Sequence, residues 1–160
     1  MMNDLFSPEF LRSQKCVIGA LCVEPEIAGE YFATVRSDDF IDPTCRRIHG
    51  VAGGIYLSGR PLDSAILLSA LGEPQAEYYE FLKSAMEEMP IASNWKEYAR
   101  IVRERTRIVR IRQLCSQIAE GDEGDMPDLL HKLDIARKGG QRVKHYSVRD
   151  LLLDFYADLD

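Results

Sequence analysis

Residues 90–115 read P-I-A-S-N-W-K-E-Y-A-R-I-V-R-E-R-T-R-I-V-R-I-R-Q-L-C. Ser93 or Asn94 is a candidate cap for the free N–H groups of a helix, and Pro90 stops whatever precedes it. No Gly or Pro interrupts the run before Gly121. At the helical rise per residue the segment extends on the order of 40 Å. A small domain rarely covers a helix of that length with its own core. The helix must protrude, pair with another helix, or do both, and that predicts a chain that assembles and docks.

Upstream of this helix the punctuation is helical and alternating strand patterns are almost absent. Ser7-Pro8-Glu9 is an N-cap followed by Pro at the first helical position, opening a helix with Leu11, Val17, Ile18 and Leu21. A second helix is expected from Pro25, carrying Ile27, Ala28, Tyr31 and Phe32. Asp42-Pro43 repeats the cap-and-proline signal ahead of Ile48, Val51, Ala52, Ile55 and Tyr56, a single apolar stripe. Gly53 and Gly54 weaken that helix by about 1 kcal/mol each, and Gly59 closes it. Asp63 caps a short helix to Leu71. A break at residues 72–74 leads into another with Leu82 and Met86. Residues 1–92 therefore read as a small globular head of about five short helices.

Beyond the head, residues 93–138 read as a helical hairpin. Ile101, Ile108, Ile111, Cys115 and Ile118 approximate a heptad seam, with Glu104 at one of its apolar positions. The G-D-E-G-D turn at residues 121–125 precedes a partner helix with Leu129, Leu130, Leu133 and Ile135. The self-association surface expected from this pattern is Ile101, Ile108, Ile111, Cys115, Ile118 and Leu133. Six arginines lie between Arg100 and Arg112. Arg103, Arg107 and Arg110 on the shaft, with Asp122 and Glu123 at the tip, form a candidate polar partner surface. Residues 139–160 read as a linker and docking helix. Gly139-Gly140 is a hinge, Ser147 and Asp150 resemble a capping box, and Leu151, Leu152, Phe155, Tyr156 and Leu159 fall on one face. That helix is expected to dock elsewhere, on another protomer, rather than fold back on its own head. The fold class is thus all-α: a globular helical head, a protruding long-helix hairpin and a terminal linker helix.

A composition of 46% hydrophobic and 29% charged residues is that of a globular protein able to bury a core without metals or disulfides. The net charge of -6 argues against a general nucleic-acid binder, so little direct DNA binding is expected. No apolar run reaches the ~18 residues of a membrane span. The N-terminus carries no basic and apolar regions of a signal peptide, and a cytoplasmic location with no membrane partner is expected. Cys16, Cys22, Cys45 and Cys115 read as buried free thiols on apolar helix faces. Cys45 and His49 are four apart, half of a metal site with no second half, so no metal is expected. The sequence has no G-x-x-x-x-G-K-[ST], no G-x-S-x-G and no H-E-x-x-H. No catalytic residue and no cofactor are assigned to this chain.

Three segments carry a resemblance, in order and spacing. Residues 94–105, N-W-K-E-Y-A-R-I-V-R-E-R, resemble the N-Y-A-x-I-V-R-E run that opens the helical hairpin in the N-terminal domain of DnaB-type replicative DNA helicases. Residues 14–26, Q-K-C-V-I-G-A-L-C-V-E-P-E, resemble that family's opening E-Q-x-V-L-G-A-L-L-L-x-P-E. Residues 40–71 resemble its F-Y-x-P-x-H-x-x-I-F-x-A-I-x-x-L-Y-x-x-G-x-P-I-D run. Gly53-Gly54 in mid-helix and Cys45 in place of the commoner His mark a divergent member.

The resemblance implies an assembly domain without motor activity. Its hairpins pair between subunits, from dimer to hexameric ring, its outer surface recruits the primase, and its linker helix docks on a neighbouring motor domain. ATP and Mg²⁺ would belong to that motor, beyond Asp160. The rival reading from the residues is a stand-alone helical adaptor or inhibitor that mimics this domain and binds a host helicase or its partners. A helical DNA-binding regulator is the third reading, and the acidic total argues against it.

Overall fold

The computed structural model describes residues 7–89 and 92–138. The expected Gly-Gly hinge and the terminal helix lie outside the described residues. Among the described residues there is no strand. The helices are α1 (Pro8–Val23), α2 (Ala28–Thr34), α3 (Pro43–Leu57), α4 (Ser64–Leu71), α5 (Gln75–Glu88), α6 (Trp95–Glu120) and α7 (Met126–Lys138). The all-α fold expected from the sequence is the fold observed.

Local signals start and stop these helices where the sequence places them. Ser7 accepts from the Phe10 N–H at 3.2 Å, with Pro8 at the first helical position. Asp42 accepts from the Cys45 N–H at 2.9 Å, and Asp63 from the Ala65 N–H at 2.7 Å. Each such cap stabilises its helix by about 1 kcal/mol. Gly59 takes φ +76 just past α3, a backbone region that other residues enter at a cost. Two expectations change. The helix anticipated from Pro25 divides into a 3-10 turn, Pro25–Ile27, and α2. Neither Ser93 nor Asn94 caps α6 through its side chain. A 3-10 turn, Ala92–Asn94, feeds into α6, and Asn94 sits at φ -88, ψ 3 rather than in the extended conformation a side-chain cap adopts.

The head is built around α1, which packs on α5 and on α6. Gly19 makes the α1–α5 approach possible: a Cβ placed there would lie 2.1 Å from the Ala85 carbonyl oxygen. Phe10, Val17, Ile18 and Leu21 of α1 are buried with Tyr31, Phe32, Phe40 and Ile48. Buried Gln14 holds the loop before α3, its Oε1 accepting from the Ile41 N–H at 3.0 Å and the Asp42 N–H at 2.9 Å.

The long helix belongs partly to this core. Trp95, Ala99, Val102, Thr106 and Val109 are all buried, at spacings of four and three. The core therefore includes Ala92 as well as α6 as far as Val109, and only the later turns leave the head.

Candidate assembly surface

Two stripes interleave on α6. The buried one, from Trp95 to Val109, faces the head. Thr106 Oγ1 donates to the Asp39 carbonyl at 2.6 Å, and Arg110 donates to the Asp38 carbonyl with its guanidinium 3.7 Å from the Asp38 carboxylate. The other stripe is the heptad series read from the sequence, and it faces away from the core. Ile108 is 41% exposed and Cys115 is exposed, while Ile101, Ile111 and Ile118 are half-buried. Cys115 therefore departs from the expectation of a buried thiol: it is exposed on the face of α6 opposite the buried stripe.

The turn into α7 closes on backbone bonds, Asp125 N–H to the Asp122 carbonyl at 3.1 Å and Leu129 N–H to the Asp125 carbonyl at 3.0 Å. Asp122, Glu123 and Asp125 are exposed there. Acidic Asp128 in the first turn of α7 and basic Arg137 and Lys138 in the last both match the helix dipole. Leu133 is half-buried, and no residue of α7 is fully buried. Leu130 and Ile135 are 50% and 57% exposed. Three of the six large apolar side chains exposed among the described residues thus belong to the hairpin. Single exposed apolar residues are ordinary on a protein surface; the other three, Val23, Tyr56 and Tyr79, lie on the head.

The arginines are less free than their number suggests. Arg100 bridges Glu97 at 2.7 Å and Glu104 at 3.1 Å, and Glu97 is held below its usual carboxylate range by the Arg100 guanidinium. Arg107 lies 3.9 Å from Glu104 and donates to the Arg137 carbonyl at 3.2 Å, joining the shaft to the end of α7. Arg110 is tied to the head. Among the described residues Arg103 makes no ion pair. The candidate polar surface therefore separates into a shaft whose arginines mostly serve the fold and a tip whose carboxylates stand in solvent.

His49 is fully buried, with Nδ1 3.0 Å from the Tyr31 hydroxyl and the rings of Phe32 and Phe40 about it. Burial lowers its pKa to about 3, so it is neutral near pH 7. Burial also pushes the Cys45 thiol well above its ordinary value. These are core groups. Sequence reasoning assigned no role to Gln14 and Thr106, the two polar residues that lock the loops around Asp39. A polar residue on an otherwise apolar helix face was their only signal.

The family described as "DnaB-like helicase N terminal domain" matches residues 7–104. The chain is 21% identical over 172 residues to "Replicative DNA helicase DnaC" of Bacillus subtilis (strain 168), covering 100% of the chain and 38% of the relative. It is 23% identical over 174 residues to "Replicative DNA helicase DnaB" of Geobacillus stearothermophilus, covering 99% and 38%. Against "Replicative DNA helicase DnaB" of Leifsonia xyli subsp. xyli (strain CTCB07) it is 26% identical over 149 residues, covering 87% and 33%. The chain thus spans under two fifths of the length of these relatives. Its fold is similar to the crystal structure of the N-terminal domain of DnaB helicase from Mycobacterium tuberculosis. The TM-score is 0.61 at 18% identity, over 81% of this chain and 96% of that one. At that identity the likeness speaks for the fold alone.

Proposed function

Because the chain belongs to the DnaB-like helicase N-terminal domain family, we propose that it is the assembly domain of a hexameric replicative DNA helicase. In this reading the hairpins of two copies pair through the outward stripe of α6, and rings form from such pairs. The primase binds the collar so formed. The ATP-dependent motor lies outside this chain, in the cytoplasmic parent protein, and residues 147–160 dock on a neighbouring motor domain. One observation carries the reading: a hairpin that leaves Ile108, Leu130 and Ile135 in solvent while its other face is sealed into the head. Among the described residues no helix is long and apolar enough to cross a membrane, so a bilayer-spanning role is not the reason for that exposure.

Light scattering across a concentration series tests assembly. The chain is expected to form dimers or larger species, and Ile108→Asp with Ile111→Asp is expected to shift them to monomer. Burying a side chain of this size is worth roughly 1.5–3 kcal/mol. A wild type that stays monomeric at high micromolar concentration overturns the self-association reading. Titration calorimetry with the cognate primase tests recruitment, and a salt-sensitive complex is expected. Absence of heat at low ionic strength favours the adaptor or inhibitor reading instead.

A further inference from the structure

The outer face of α6 carries a charge pattern that distinguishes the ways two hairpins can meet. Ile101, Arg105, Ile108, Arg112, Cys115 and Ala119 follow one another at alternating spacings of four and three, the spacing of one helix face, and the series reaches Asp122 in the turn. None of the six is fully buried. Arg107, two residues on from Arg105 and so on the other flank of the helix, is the residue that reaches the end of α7. Among the described residues Arg105 and Asp122 make no ion pair, whereas Arg100 and Arg110 do.

A second copy can lie antiparallel along this face, in a two-fold pair where every contact occurs twice. The alternating spacing lets the face meet its own copy only in steps of one heptad. In one register Ile108 stands opposite Arg112 of the second copy and Arg105 opposite Cys115, which sets an isoleucine against a charge and gives Arg105 no acid. A heptad back, Ile101 meets Arg112 and Arg105 meets Ile108, the same mismatch. A heptad forward, Arg105 stands opposite Asp122, Ile108 opposite Ala119 and Arg112 opposite Cys115. Each end of the overlap then closes on an ion pair, with Ile108 and Ala119 inside it. Glu104, level with Glu123 in this register, is already bonded to Arg100 at 3.1 Å. One more heptad forward carries Ile108 past Glu120, the end of α6.

We propose that two hairpins pair antiparallel in the register that sets Arg105 of each copy against Asp122 of the other. The proposal rests on the assembly reading above and adds to it the register and the two residues that select it. The tip of each hairpin then lies level with the turn of α6 that leaves the other copy's head. Complementary charges of this kind act on register more than on strength.

A charge-exchange series on the 160-residue chain tests the pair, read by light scattering across concentration. Arg105→Asp and Asp122→Arg are each expected to weaken self-association roughly ten-fold, because two exposed ion pairs become two repulsions. Arg105→Asp/Asp122→Arg is expected to return to near the wild-type value, since both partners have exchanged sign. A short bis-maleimide provides the second readout. In the proposed register the Cys115 residues of the two copies are three residues, about 5 Å, apart along the pair, against about 15 Å one heptad back, so a cross-link from Cys115 to Cys115 is expected. Cys16 and Cys45 are buried, and burial pushes the Cys22 thiol up to about 12, so these three report little. Single variants that associate as tightly as wild type, a combined variant that is not restored, or a dimer that gives no such cross-link each overturn the register. If Ile108→Asp with Ile111→Asp still yields monomer in those cases, the assembly reading stands without it. A wild type that is monomeric throughout overturns both.

Discussion

The hydroxyl of Thr106 donates to the carbonyl of Asp39 across 2.6 Å, and both residues are 2% exposed. This bond joins the long helix to the segment before α3, one turn before Val109, the last buried residue of α6. Thr106→Val has nearly the same shape but leaves the Asp39 carbonyl without its donor. It is expected to lower stability by about 1–3 kcal/mol in urea unfolding, with Thr106→Ser losing less. Equal stability of the valine variant and wild type would show that the long helix is held by apolar contact alone.

Gln14 satisfies two backbone N–H groups at once, those of Ile41 and Asp42. Gln14→Leu buries both without a partner. The expected loss is roughly 2–4 kcal/mol, more than for an ordinary surface change. Hydrogen exchange at Ile41 and Asp42 should speed up more than at the centre of α1. Unchanged exchange at those two amides would count against the assigned role.

Two glycines should respond in opposite directions. At Gly19 a Cβ meets the Ala85 backbone, at 2.1 Å from its oxygen and 2.7 Å from its carbon, and neither helix can yield by turning a side chain. Gly19→Ala is expected to cost about 3 kcal/mol. At Gly54, exposed in the interior of α3, nothing lies within 4 Å of an added Cβ. Gly54→Ala should stabilise the chain by about 0.5–1 kcal/mol through helix propensity. Thermal melts of the two variants provide the comparison.

His49 makes stability depend on pH. Its pKa falls from 6.5 to about 3 on folding because burial disfavours the charged ring. Below pH 6.5 the unfolded chain takes up a proton that the folded chain refuses. The His49 contribution is therefore complete above pH 6.5 and is lost as pH falls towards 3, at up to about 1.4 kcal/mol per pH unit. His49→Phe should be less stable at pH 7.5, having lost the Tyr31 hydrogen bond, and its disadvantage should shrink between pH 6.5 and 5. A wild-type minus variant difference that is flat with pH would mean that the ring titrates normally in the folded state.

The helices of the head and the existence of the hairpin were legible because their signals are local. Ser7-Pro8, Asp42-Pro43, Asp63 and Gly59 act through hydrogen bonds and dihedral angles within a few residues, so sequence neighbours suffice to read them. The three segments matching the helicase family lie almost wholly in these same elements, which is why the family could be recognised before any coordinates. The facing of α6 was not legible in this way. Its residues hold two interleaved stripes. The one richer in isoleucine reads as the stronger seam, yet the head selects Trp95, Ala99, Val102, Thr106 and Val109.

That selection depends on what α1 and the loop at Asp39 present, and no periodicity within α6 contains it. Small Ala99 and polar Thr106 score poorly as seam residues, yet both are buried, and Thr106 meets a carbonyl 67 positions away in the chain. The fate of the arginines was decided the same way, Arg110 by Asp38 and Arg107 by the end of α7. The sequence by itself determined the helices, their order and the family, because each is written in near neighbours. Only the tertiary structure decided which side of the long helix is core and which side is exposed, because burial is a property of the folded surface rather than of the segment.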